Sequence, residues 1–135
     1  MNTPIRWGRV SLGGVLAELI LVLAVIPVYV LGGGDTAITL VGVGGSFLVF
    51  LPVGWWLTRR LPRPILHGVL MGAFAAAIYM TLSVIGRLFV ADTPPVPPIY
   101  YLGHALKLAG GATGGWLAQR AARGSAEAVP FARLR

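Results

Sequence analysis

Four long apolar runs, separated by short polar breaks, occupy most of the chain: residues 10–31, 37–57, 65–90 and 99–118, roughly. The hydrocarbon core of a bilayer is about 30 Å thick and a helix rises about 1.5 Å per residue, so about 20 apolar residues span it. Each run reaches that length. None shows the period-2 alternation of a strand or the narrow apolar stripe of a water-exposed helix. The pattern predicts an all-α, four-helix transmembrane bundle over residues 1–123, followed by a short cytoplasmic tail over 124–135.

The polar breaks differ in kind. Gly32, Gly33 and Gly34 followed by Asp35 and Thr36 predict a tight turn, with Asp35 or Thr36 capping the next helix. Pro62 and Pro64 bracket Arg63 and predict a sharp stop and restart. The third break, Asp92 to Pro98, is too proline-rich for a helix and reads as extended. Within the runs, Pro27 and Pro52 each remove a backbone donor and predict kinks.

Charge orients the predicted bundle. All of the eleven Lys and Arg residues except Arg87 and Lys107 lie before the first run, between the second and third, or after the fourth. The other two breaks carry Asp35 and Asp92. Cytoplasmic loops are enriched in Lys and Arg, so both termini are predicted to be cytoplasmic in a bacterial inner membrane. Trp55, Trp56 and Trp116 precede Arg59, Arg60 and Arg120, as expected where a helix leaves the bilayer. A net charge of +7 would suggest nucleic acid in a soluble protein. Here topology accounts for it, and no nucleic-acid partner is expected.

Composition agrees. Hydrophobic residues make up 56% of the 135 residues and charged ones only 11%, against about 25% charged in soluble domains. There is no cysteine, which removes disulfides, thiolate chemistry and iron–sulfur ligation. No Walker loop, H-E-x-x-H or Gly-x-Ser-x-Gly is present. Ser83 and His104 form a serine–histidine pair placed toward the same membrane edge, and nothing else supports hydrolysis. His67 and His104 belong to opposite edges, so one metal cannot take both. No enzymatic activity, metal or cofactor is expected.

Glycine and other small residues recur at spacings of three and four, the pattern that lets membrane helices approach closely. The third run carries Gly68, Gly72 and Ala76, continuing to Tyr79 and Ser83. The fourth carries Gly103, Lys107, Gly110 and Gly114 on one stripe, with Gly111 and Gly115 beside it. These faces are expected to pack helices and to offer contact surfaces for a second copy or a larger membrane complex. Gly14-Val15-Leu16 resembles Gly68-Val69-Leu70, and Trp56-Leu57-Thr58-Arg59-Arg60 resembles Trp116-Leu117-Ala118-Gln119-Arg120. This faint repeat suggests a duplicated helical hairpin about an axis along the membrane normal.

Three charges fall inside the runs. Arg87 is near the distal edge, where its side chain can snorkel. Glu18 and Lys107 each lie about eight residues into oppositely running helices. Their depths differ by only about 6 Å. An isolated charge there costs about 2.5–3.5 kcal/mol, so the two are expected to pair, with His104 one turn from Lys107 in the same polar cluster. Either Glu18 and Lys107 clip the first helix to the fourth, or Glu18 exchanges protons in transport. The segment Leu12-Gly13-Gly14-Val15-Leu16-Ala17-Glu18 resembles the first helix of the small multidrug resistance transporters. That resemblance implies a dimeric four-helix protein in which Glu18 matches a proton- and drug-binding glutamate. Over its full length the chain resembles small four-helix bacterial membrane proteins, a general pattern that implies no activity.

Overall fold

A computed structural model describes residues 4–89 and 96–127. Four helices follow one another: α1 Trp7–Val30, α2 Asp35–Thr58, α3 Pro64–Phe89 and α4 Ile99–Glu127. Three of them, α1, α2 and α3, are long and apolar enough to cross a membrane. By its 29 residues α4 is long enough as well, but its polar and small residues keep it below that hydropathy. The reason lies in its position. Gly103, Lys107, Gly110, Gly111, Gly114, Gly115 and Ala118 are all buried against neighbouring helices, so α4 requires little lipid-facing apolar surface. It also runs beyond the expected end near residue 118, so the tail expected from residue 124 begins as helix. Its remainder lies outside the described residues, as does the proline-rich segment before Val96.

The turns follow local chemistry. The end of α1 is closed by two bonds: the Gly33 N–H donates to the Val28 carbonyl (2.8 Å) and the Gly32 N–H to the Tyr29 carbonyl (3.1 Å). This is a Schellman closure, and it puts Gly32 at φ +75, a left-handed backbone that residues with a Cβ rarely adopt. Asp35 does not cap α2 through its side chain, and neither does Thr36, because Gly34 occupies the cap. Asp35 instead sits in the first turn, where its charge faces the positive end of the helix dipole. Between α2 and α3, Arg63 adopts φ 54, and Pro64 opens α3. Helix continues through both Pro27 and Pro52.

The bundle closes in the order α1, α2, α4, α3. The most extensive contact is between α2 and α4, followed by α3 with α4; α1 rests on α2 and α3 and barely touches α4. The second hairpin therefore lies beside the first, with α1 next to α3 and α2 next to α4. A two-fold along the bundle axis, expected from the faint repeat, would set α1 and α3 at opposite corners.

Glycine dictates these contacts. A Cβ on Gly68 would overlap the Gly111 carbonyl, and one on Gly111 would overlap the Gly68 carbonyl. Gly72 faces the Lys107 carbonyl, 2.7 Å from where its Cβ would stand. Gly110 and Gly114 do not meet α3. They pack on α2, against the Phe47 and Leu51 carbonyls. The α4 glycines thus divide into two seams, one for α3 and one for α2, and both lie inside the chain. The contact surfaces for a partner that the sequence assigned to these faces are therefore occupied.

Candidate functional site

The Lys107 ammonium is paired with the Glu18 carboxylate across the bundle diagonal, joining the two helices that otherwise hardly meet. Their side chains are 4% and 17% exposed, respectively. The site is set by its surroundings. Gly72 lets the α4 backbone come close enough to aim Lys107 inward. The ammonium then lies 5.3 Å from the Tyr79 ring centre and 5.9 Å from that of Phe50. A cation over aromatic faces is stabilised by about 0.5–2 kcal/mol, more as water is excluded.

Above the pair, away from the basic end, the helices part. The last buried residue of α1 is Leu21 and that of α3 is Ala75; the first of α2 is Val43 and that of α4 is Gly103. Beyond these positions lies a half-open cavity of about 380 Å³, floored by Glu18 and Lys107 and walled on one side by Val22, Val25 and Ile26 of α1. Tyr79, Tyr100, Ser46 and His104 complete it. A second cavity of about 440 Å³ continues toward Asp35 and Arg87 and shares Ile38, Tyr79 and Tyr100 with the first.

His104 joins Lys107 in this cavity, as expected from their one-turn spacing. Its ring stands 4.9 Å from that of Tyr79 at 59°, and Tyr79 stacks on Tyr100 at 6.1 Å. Both His104 ring nitrogens are buried and neither has a hydrogen-bond partner in the protein. Ser83 interacts with Tyr79, not with His104, so the serine–histidine pair does not form. The Ser46 hydroxyl donates back to the Gly42 carbonyl (2.7 Å). Among the described residues no three of His, Asp or Glu converge as metal ligands would.

His67 lies at the opposite, basic end. The Arg6 N–H donates to its Nε2 (3.1 Å), and its Nδ1 is 3.1 Å from the Arg63 carbonyl. The acceptor role at Nε2 makes Nδ1 the protonated nitrogen. His67 therefore ties the start of α1 to the α2–α3 turn. Arg59 stacks over Trp55 and Arg120 over Trp116, at 5.6 and 5.4 Å.

Tyr79, Tyr100 and Ser46 are site residues that the sequence did not single out. The signal for Tyr79 was present: it lies seven residues beyond Gly72, two turns along the face that meets α4. Tyr100 stands at the start of the fourth apolar run, where an aromatic suits the membrane edge as well as a cavity wall, and no sequence pattern distinguishes the two roles. The chain matches no protein-family model, no curated protein and no solved structure.

Proposed function

We propose that this chain is a non-enzymatic, multi-pass protein of the bacterial inner membrane, with both termini in the cytoplasm, in which Glu18 and Lys107 act as an internal clip. The observation that carries this reading is the ion pair across the diagonal. It holds α1 to α4 where backbone packing does not, and it neutralises two charges that would each be costly in hydrocarbon. Arg9, whose guanidinium donates to the Leu57 carbonyl (3.4 Å), anchors the other end of α1 to α2. With the glycine faces enclosed, self-association or docking into a larger membrane complex runs through lipid-facing side chains such as Leu40 and Leu48.

A second reading, a small proton-coupled transporter, draws on one specific observation: Glu18 lines a cavity that opens away from the basic end. Exchange of Glu18 for Gln, with purified protein in liposomes, separates the two. A clip gives a destabilised variant, whereas Glu18→Leu combined with Lys107→Met restores stability. A transporter gives a Gln variant that folds normally and has lost proton flux.

A further inference from the structure

The cavity above the clip has features that the clip does not use: an unpartnered imidazole, apolar walls on α1 and α2, and the Tyr100 ring. We propose that it is a binding site for an uncharged single-chain amphiphile with a hydroxyl head, taken from the bilayer, with His104 recognising the head. This extends the membrane-embedded reading to a ligand and requires the cavity-bearing half to lie in lipid.

Four observations select that chemistry. The charges of Glu18 and Lys107 cancel, so the floor favours neither a cation nor an anion. The Tyr79 face that would attract a cationic ligand already carries the Lys107 ammonium. A neutral imidazole offers one donor and one acceptor on different sides of the ring, and a hydroxyl, itself donor and acceptor, pairs with whichever one it meets. A buried polar atom without a partner is rare in native proteins and costs about as much as a lost hydrogen bond. The His104 nitrogens are covered as the ring stands, so recognition requires the ring to turn about its Cα–Cβ bond toward the cavity, where a head then relieves that cost. The apolar lining from α1, including Val22, Val25 and Ile26, matches an alkyl chain, and a volume of about 380 Å³ lies at the small end of ligand pockets, roughly 300–1,000 Å³. Such a volume suits one chain.

The test uses the full chain in phospholipid nanodiscs with a diazirine-bearing long-chain primary alcohol as probe. Photolabelled peptides should map to residues 22–29 of α1 and 38–43 of α2. Excess 1-dodecanol should compete, whereas dodecane and dodecyltrimethylammonium should not. Replacing His104 with Leu, which leaves the clip intact, should weaken labelling about three- to tenfold, the value of one hydrogen bond. Ile38→Trp, which puts an indole where the two cavities meet, should weaken it as well. Labelling spread over lipid-facing positions such as Leu12 and Leu48 would overturn the proposal, as would equal competition by dodecane or by the ammonium compound. So would an unchanged His104→Leu variant whose melting matches the parent protein. None of these results bears on the clip, which stands or falls on Glu18→Gln.

Discussion

The two halves of the bundle are built from the same helices and differ in almost every physical respect. In the basic half, backbones touch through glycine pairs, Phe50, Met71, Ala17 and Ala75 are almost completely buried, and the cavity that Arg9, Leu57 and His67 help to line has no room for a water molecule; open volume, about 240 Å³, appears only at the outer end of α4 among Trp116, Gln119, Arg120 and Arg123. In the distal half no residue of α1 beyond Leu21 is buried, Gly42 and Gly44 face open space, and two cavities lie end to end. A membrane helix has no hydrophobic drive toward another helix, so it packs only where close approach gives dense van der Waals contact. The lesson is that small residues at the right spacing are not enough. Gly42 and Gly44 are as small as Gly68 and Gly111 but have no facing backbone. The Glu18–Lys107 pair sits at the boundary, where contact gives way to space.

The largest expected effect tests that boundary. Glu18→Gln leaves Lys107 buried with its aromatic neighbours and no counter-charge, which should destabilise the protein by about 3–5 kcal/mol. Unfolding in denaturing detergent is the measurement. Glu18→Leu combined with Lys107→Met should return stability to within about 1 kcal/mol of the parent, because a well-packed apolar pair substitutes for a buried ion pair. If the double variant is as unstable as the single one, the boundary is held by something other than charge.

The glycines sharpen the contrast directly. Gly68→Ala forces a methyl group into the Gly111 backbone, which no rotamer change relieves, and should cost about 3 kcal/mol, the upper end of ordinary overpacking. Gly42→Ala meets nothing within 4 Å and should stabilise α2 by up to about 1 kcal/mol through helix propensity. Opposite signs for one chemical change in the two halves would show that packing differs as described. A loss at Gly42 matching that at Gly68 would mean that the distal half closes in the membrane.

How much of this was legible beforehand depended on the range of the interaction. Helices α1, α2 and α3 follow from apolar length, the Gly32 turn from its glycine run, and the meeting of Glu18 with Lys107 from simple depth counting on antiparallel helices. The order α1, α2, α4, α3 was not legible, because small-residue faces recur on all four helices and fit several orders equally well. Nor was the division of the α4 glycines: Gly110 and Gly111 are neighbours in sequence, 100° apart around the helix, and which seam each joins depends on where α2 and α3 already stand. The cavity was the least legible feature. It arises from the divergence of α1 from α3 and α4, which no residue of α1 encodes by itself.

His67 offers a finer probe of the basic half. His67→Leu removes the acceptor for the Arg6 N–H and the donor to the Arg63 carbonyl, and should cost about 1–2 kcal/mol. His104→Leu, at the distal end, removes two polar atoms that have no protein partner and should leave the stability of the ligand-free protein unchanged or slightly higher. Thermal unfolding of the two variants side by side checks the pair. Equal losses would mean that His104 is satisfied in the folded protein and that the two ends are alike.

The smallest effect concerns strain at the tight end. Arg63 holds φ 54 between two prolines, a left-handed conformation that costs an L-residue with a Cβ roughly 1–2 kcal/mol. Its carbonyl receives both the His67 backbone N–H (3.2 Å) and the His67 ring, so the strained peptide is fixed by the contacts that fasten α1 to the turn. Arg63→Gly relieves the clash but gives the unfolded chain more freedom, which offsets part of the gain. The expected outcome is a rise in stability of no more than about 1 kcal/mol, seen as a small increase in the melting temperature. Combined with His67→Leu, the glycine should lose its benefit only if the strain and the histidine contacts are coupled. Additive effects would place the strain in the Pro62–Pro64 turn alone and leave the basic half tight for reasons of helix packing.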